Sequence, residues 1–415
     1  MSGAVVILGT LDTKGPELRF LRDAIAARGV PTLLVDTGIL GTPAFPPDID
    51  RHVVAEAAGT TIAALAAAGD RGQAVTVMAE GAARLALELY ARGELTGIVA
   101  IGGSGNAAIA SAAMRALPIG VPKLLATTVA AGDTRPYVGT TDITMMYSVV
   151  DISGLNRLSR QILRNTAGAI AGMVAAGVPD PQGGTDRPLV AATMFGVTTP
   201  CVTLAREALE ALGYEVLVFH ATGVGGRSME SLVRDGFITG LLDVTTTELA
   251  DEVAGGTLSA GPDRLEAAGE AGIPQVVSLG ALDMANFGPL ESVPARFEGR
   301  LLHRHNAAVT LMRTTPHENA EIGRLIAAKL NRARGPVTVV VPLRGVSSMD
   351  AKGGAFYDPD ADGALFAALR EGLAACVDLL EVDAHINDPI FATTLVDAFH
   401  RQYSRTREVA RDTAH

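Results

Sequence analysis

The stretch AVVILGTLDTKGPELRFLRDAIAARGVPTLLVD, residues 4–36, decides the fold. AVVIL (4–8) is an unbroken apolar run, the pattern of a strand buried on both faces. From Pro16 to Arg28 the apolar residues Leu18, Leu21 and Ile25 recur at helical spacing, and Gly29 stops the helix. PTLLVD (31–36) is the next strand. Strand, helix and strand in so short a span make a βαβ unit, which calls for a parallel sheet with helices packed on it.

The same rhythm continues. Helical stretches follow at about 53–69 and 73–92; TGIVAIGGSGNAAIASAAMRAL (96–117) is strand, glycine turn and helix; VPKLLAT (121–127) is a strand; a long helix covers about 155–176. PDPQGGTDRP (179–188) has the composition of a linker. The pattern then restarts in LVAATMFGVTTPCVTLAREALEALGYEVLVFHATGVGG (189–226), where Gly196, Gly213 and Gly223 answer Gly9, Gly29 and Gly38 at a nearly constant offset. Further strands are expected at 237–242, 275–279, 308–312, 336–341 and 377–381. The expectation is an α/β protein of two doubly wound, Rossmann-like domains with largely parallel sheets, residues 1–180 and 188–415. Composition agrees: of 415 residues 48% are apolar and only 4% aromatic, so the core is built from small aliphatic side chains that let helices approach a sheet closely.

A net charge of −11 argues against a nucleic-acid footprint or a polybasic membrane patch. Cys201 and Cys376 lie far apart and offer no disulfide framework, which fits a reducing compartment. The N-terminus enters a strand without a basic flank, and no charge-free run reaches the ~20 apolar residues of a membrane span. The expectation is a soluble, cytoplasmic chain. No G-x-S-x-G elbow occurs, and the first glycine loop lacks the dinucleotide fingerprint, so a serine hydrolase and an NAD-dependent dehydrogenase both fit poorly.

In doubly wound folds ligands bind beyond the carboxyl ends of strands, so the chemistry is sought in those loops. GTLDTKG (9–15) offers Gly9 for close approach, the hydroxyls of Thr10 and Thr13, the Lys14 ammonium and a helix start beside Asp12. GGSGN (102–106) places Gly102, Gly103, Ser104, Gly105 and Asn106 before a second helix. Both loops can cradle an anion on free backbone N–H groups, or they are simply tight turns. Between 127 and 148, Arg135 can pair with phosphate, and Asp133 or Asp142 can meet a magnesium ion or form turns. Asp36 ends its strand where a ribose hydroxyl or a turn would use it.

The second half carries Asp283 in SLGALDMANFGP (278–289), then LLHRHNAAVTLMRTT (301–315). His303 and His305 share a side if the segment is extended, as acid–base groups, substrate anchors or packed histidines. A metal would need a third ligand from Asp283, His317 or His385, and no local spacing supplies one. Thr315, Pro316 and Glu318 form a helix start with a capping box, and Arg313 beside it makes an anion receptor. PLRGVSSMDAKGG (342–354) adds Arg344, Ser347 and Asp350, and DAHINDP (383–389) adds His385 and Asn387.

Taken together, VILGTLDTKGPELRFLRD, AIGGSGN, LDMANFGP, HNAAVTLMRTTPHEN, LRGVSSMDAKGG and HINDPIFA resemble the uncharacterised protein family of the tomato tobamovirus-resistance protein, over essentially the whole chain. That family has bacterial stand-alone members of about this length. The resemblance implies two Rossmann-like subdomains, ATP binding by the first together with Mg2+, a homodimer, and a separate barrel-type partner protein. The matching loops are GTLDTKG and GGSGN. The expectation is an ATP-dependent enzyme acting on a small anionic metabolite in the cleft between two domains. Lys14 and Arg135 would stabilise charge on phosphate, and His303, His305, Arg313, Asp283 and Asp350 would handle the substrate. Two alternatives stand beside it: a nucleotide-gated binding or regulatory protein without turnover, and a hydrolase or lyase of a small oxo acid.

Overall fold

The structure, a computed structural model, describes residues 3–177 and 187–413 and divides into two compact units, Met1–Asp180 and Pro181–His415. Of the linker expected at 179–188, residues 179–186 lie outside the described residues.

In the N-terminal unit β1 (Ala4–Gly9), β2 (Thr32–Asp36), β3 (Leu95–Gly102), β4 (Lys123–Thr127) and β5 (Thr144–Tyr147) form one parallel sheet in the order β2-β1-β3-β4-β5. The helices are α1 (Leu11–Ala26), α2 (Arg51–Ala57), α3 (Ile62–Ala68), α4 (Arg71–Ala91), α5 (Ser104–Ala116) and the later Arg157–Ala176. Alternate residues of β1 feed two cores. Val5 and Ile7 pack with Leu18, Leu21 and Ile25 of α1 and with Leu163 and Ile170, while Val6 and Leu8 pack with Met78, Ala82 and Ile109 of α4 and α5. That double burial is why the strand reads as an unbroken apolar run. Since α1 and α5 lie on opposite faces, the chain direction switches between β1 and β3, and a crevice opens beyond their carboxyl ends.

Gly9 is a packing residue: a Cβ there would lie 2.5 Å from both methyls of Leu18. The first turn of α1 is kinked at Lys14 (φ −126°, ψ 20°), so the regular helix resumes near Pro16, the expected start. The loop expected at 9–15 is instead largely this extra turn, closed by the N–H groups of Thr13 and Lys14 on the Thr10 carbonyl.

The C-terminal unit repeats the topology. β6 (Leu189–Met194), β7 (Glu215–His220), β8 (Leu241–Thr245), β9 (Gln275–Gly280), and, after an insertion, β13 (Val337–Pro342) and β14 (Val377–Val382) form a parallel sheet in the order β7-β6-β8-β9-β13-β14. This is the order of the first sheet with one strand added. The insertion holds β10 (Met284–Phe287), β11 (Leu302–Arg304) and β12 (Thr310–Arg313), a separate antiparallel sheet ordered β10-β12-β11. The strand expected at 308–312 belongs to this insert. Among the described residues no helix is long and apolar enough to cross a membrane.

Candidate functional site

A cavity of about 600 Å³ occupies the crevice of the N-terminal unit. Its lining includes Thr10, Asp12, Thr13 and Lys14 from the start of α1, and Gly102, Gly103, Ser104, Gly105 and Asn106 from the β3–α5 loop. Neither helix start is closed by a side chain at its N-cap, Thr10 or Gly103. The first turn of α5 therefore presents its N–H groups and the positive end of its dipole to this space, whereas in α1 the N–H groups of Leu11, Thr13 and Lys14 are already bound to Asp36 and to the Thr10 carbonyl. Gly102 has φ +152°, a conformation only glycine adopts without strain, and it turns the chain from strand into helix. Added Cβ atoms at Gly103 and Gly105 would meet nothing closer than 3.9 Å and 3.7 Å, so the missing side chains leave room for a ligand.

The Asn106 side chain is a strap beneath the cavity. Its amide donates to the carbonyls of Leu8 (3.3 Å) and Ile101 (2.9 Å), and its oxygen accepts the Thr37 hydroxyl (3.1 Å). The end of β1, the end of β3 and the loop after β2 are thereby tied together under the cavity. Lys14 is half-buried in the wall, and its side chain has no ion-pair or hydrogen-bond partner among the described residues.

Two of the expected residues are elsewhere. Gly9 serves the α1–β1 contact and does not line the cavity. Arg135 is exposed and held by its near neighbour Asp133, with Nε and Nη2 at 2.9 Å and 2.8 Å from the carboxylate. That pairing also occupies Asp133, which lies well below the usual carboxylate range, at about 2, through hydrogen bonds from Arg135. Asp142 is likewise taken, by Lys123 at 2.7 Å and by the Gly120 N–H at 2.8 Å. Asp36 is buried and accepts from the Leu11 N–H (3.0 Å), the Gly38 N–H (2.9 Å) and Arg51 (2.7 Å). No lone pair is left over for a ribose.

Sequence reasoning missed the opposite wall. Arg71 at the start of α4 lines the cavity, its guanidinium 3.7 Å from where a Cβ of Gly105 would sit. Leu40, Leu65, Val75 and Ile109 supply an apolar face, and Asp151 a carboxylate without a partner among the described residues. Leu40, in the loop after β2, stays 68% exposed.

In the C-terminal unit the structure brings Arg313, Asp283 and Asp350 together and leaves the histidines out. Antiparallel pairing sets Arg313 opposite Met284, next to Asp283. The Arg313 side chain is only 4% exposed. It donates to the carbonyls of Phe356 (2.7 Å) and Asp358 (3.3 Å), to the Thr314 hydroxyl (3.0 Å) and to Asp362 (2.8 Å), with Asp350 at 3.6 Å. Its N–H groups are consumed inside the protein, so the anion-receptor expectation for Arg313 is corrected. Asp283 accepts the Ser347 hydroxyl (2.7 Å), and Asp350 accepts the Val346 N–H (2.9 Å). Both carboxyls are buried, and each fastens the 342–354 loop through one oxygen. His303 sits on β11 with its ring edge-on to Phe356, centroids 6.2 Å apart. His305 falls beyond the strand, exposed in the turn closed by its N–H on the Val309 carbonyl. The pair therefore does not act as one unit. Among the described residues no group of three or more His, Cys, Asp or Glu is arranged to hold a metal ion.

The equivalent crevice of the C-terminal sheet is filled by its own side chains. Where the first unit has GGSGN after β3, the second has Thr246, Thr247 and Glu248 after β8. Glu248 accepts the N–H groups of Gly223 (2.7 Å) and Gly226 (3.0 Å). Arg264 joins Glu248 (2.6 Å), both oxygens of Asp243 (2.6 and 2.7 Å) and Glu230 (3.4 Å) in a buried network.

Burial pushes Asp362 up to about 8, helped by the charge of Asp350, and pushes Asp251 up to about 7; Asp283 and Asp350 are raised by the same cause. The folded unit keeps these protons at a pH where the unfolded chain, with carboxyls near ~4, has released them. Their stabilising contribution is complete below about pH 4 and is lost as the pH rises through the folded values. The urea midpoint of the C-terminal unit is therefore expected to fall between pH 5 and pH 8, by on the order of 2 kcal/mol in stability. Asp362→Asn should flatten that fall; a midpoint that holds steady across the range would contradict the assignment.

Fold and cavity define a doubly wound α/β protein with an open, glycine-lined crevice in its first unit and a self-filled one in its second. The chain belongs to Uncharacterised protein family UPF0261: residues 3–179 match the family's N-terminal domain and residues 187–403 its C-terminal domain. It is 53% identical to a UPF0261 protein of Clostridium tetani over 95% of this chain and 98% of that one. A UPF0261 protein of Rhizobium meliloti is 48% identical, with 95% and 98% covered. The ToMV resistance protein Tm-1(GCR237) of Solanum lycopersicum is 42% identical over 98% of this chain, which spans 57% of the tomato protein.

Proposed function

We propose that the N-terminal unit binds ATP, with its phosphates on the 102–106 loop and its base toward Leu40, Leu65 and Val75. The observation that carries this reading is the meeting of the open α5 start with two cations, Lys14 and Arg71, whose side chains have no partner among the described residues, in one cavity with an apolar wall. Backbone N–H groups and helix dipoles favour a polyanion, and the volume suits a nucleotide-sized ligand. A magnesium ion would arrive on the phosphates, and Asp151, a carboxylate of the lining without a partner among the described residues, could complete its shell. The burial of Arg313, Asp283 and Asp350 favours ATP as a bound effector over ATP as the partner of an acid–base site at those residues.

Calorimetric titration of the purified chain with ATP and Mg2+ tests the reading. Saturable binding is expected, weakened about tenfold in Lys14→Ala. Absence of binding by any nucleoside triphosphate would overturn it. Phosphate release measured with and without pools of small organic acids then separates a gated binding protein from an ATP-dependent enzyme.

A further inference from the structure

Where α1 packs beside the Arg157–Ala176 helix, the N-terminal unit carries positive charge that its own contacts do not use. Over 20 residues that helix holds Arg157, Arg160 and Arg164 and no aspartate or glutamate. All three are exposed, and their spacing of three and four residues sets them on one stripe. They occupy the half of the helix nearest its amino end, where the dipole disfavours positive charge and local stability would place acids.

α1 adds Arg19, also exposed, and Arg28 ties the two helices together through the carbonyls of Ala24 (2.6 Å) and Arg164 (3.4 Å). The guanidinium carbons of Arg160 and Arg164 stand 5.4 Å and 5.8 Å from the centre of the Phe20 ring, and that of Arg19 stands 4.3 Å from the centre of Phe45. A ring contact of this kind engages the face of a guanidinium and leaves its N–H edge available. The side chains of Arg19, Arg157, Arg160 and Arg164 have no ion-pair or hydrogen-bond partner among the described residues. Several exposed arginines elsewhere are matched: Arg92 by Glu94, Arg135 by Asp133, Arg344 by Asp383 and Arg370 by Glu381. Of the acids along α1, Glu17 is buried on the Gly154 N–H and Asp23 is exposed one turn from Arg19. The face thus keeps a surplus of positive charge in a chain whose net charge is −11.

We propose that this face docks an acidic segment of a partner protein, its carboxylates received by Arg157, Arg160, Arg164 and Arg19. The reading is independent of what fills the cavity. From Arg157 to Arg164 the stripe spans about 10 Å, which matches two or three carboxylates one helical turn apart. Planar guanidinium forks take a carboxylate through two N–H bonds, so spacing adds selectivity to charge. A nucleic acid fits less well: a strand long enough to gain from many phosphate contacts would run on over the negative surface of the same chain.

Fluorescence anisotropy tests the proposal with a labelled helical peptide of about three turns carrying glutamate at every fourth position. Its controls are the same peptide with glutamine and a short single-stranded RNA. The unaltered chain should bind the glutamate peptide about tenfold more tightly than either control, and less tightly as salt is raised. Arg160→Glu combined with Arg164→Glu should weaken that binding by about tenfold or more and leave the melting temperature unchanged, both side chains being exposed. Arg401→Glu combined with Arg405→Glu, exposed on the helix Pro389–Thr413 of the other unit, should bind as the unaltered chain does. No binding of the peptide by the unaltered chain, binding kept in the first variant, or equal loss in the second overturns the proposal. So does RNA bound as tightly as the peptide, which would make the face a polynucleotide site. A changed oligomeric state in the first variant overturns it too, since the face would then join copies of this chain. Arg157→Gln combined with Arg164→Gln, a gentler change, should lose part of the affinity; full binding there refutes the proposal even if the glutamate variant fails to fold.

Discussion

Replacing Arg264 with leucine is expected to destabilise the C-terminal unit by about 4 kcal/mol or more, the upper end of what breaking a buried ion pair costs. Arg264 is 1% exposed, and three carboxylates point at it. Leucine fills part of the volume but leaves Asp243, Glu248 and Glu230 buried without a counter-charge. Some compensation remains, since Glu248 keeps the Gly223 and Gly226 N–H groups and Glu230 keeps those of Leu265 and Ala267. Asp243 is left with less: besides Arg264 it has the Thr193 hydroxyl at 2.6 Å. Thermal unfolding measures the loss; a melting temperature within ~2 °C of the unaltered chain, on the usual scale for units of this size, would show that the network is not needed.

Gly105→Val is the complementary case, large in binding and small in stability. The added side chain starts from a Cβ whose nearest neighbour is the Arg71 guanidinium at 3.7 Å, so it meets open cavity and not packed protein. It would stand where an anion approaches the α5 amides and would push Arg71 aside. Overfilling of this kind costs ~1–3 kcal/mol, and with the lost N–H contacts the affinity for ATP should drop roughly 100-fold. The melting temperature should barely move. Undiminished binding in this variant would mean that the ligand lies elsewhere.

These two sites also mark the boundary of what could be read directly from residues. The parallel sheets were legible because double burial leaves unbroken apolar runs such as AVVIL, and the 102–106 loop because Gly102 takes a φ that other residues adopt only with strain. Nine of the eleven residues expected to hold the cofactor line the cavity, Gly9 and Arg135 being the exceptions. Arg71 carries no local signature, since only the fold brings the start of α4 to the β3–α5 loop. The same holds for Arg313. Its fate depends on carbonyls at 356 and 358 and on Asp362, distant positions whose convergence no local pattern announces. The antiparallel insert was hidden because strands of three or four residues are too short to display an alternation. Arg264 drew no notice for a further reason: one arginine among three scattered acids looks like ordinary surface charge until burial makes it a core residue.

The Asn106 strap bears on how the cavity meets its ligand. By fastening three chain segments together it fixes the spacing of the groups that would touch phosphate and sugar before any ligand arrives. Association then needs little ordering of loops, so the entropy loss on binding falls mainly on the ligand and on the Lys14 and Arg71 side chains. Such a receptor behaves as a preformed mould: its selectivity is set by shape and donor placement in the empty state, and not by a closure that follows contact.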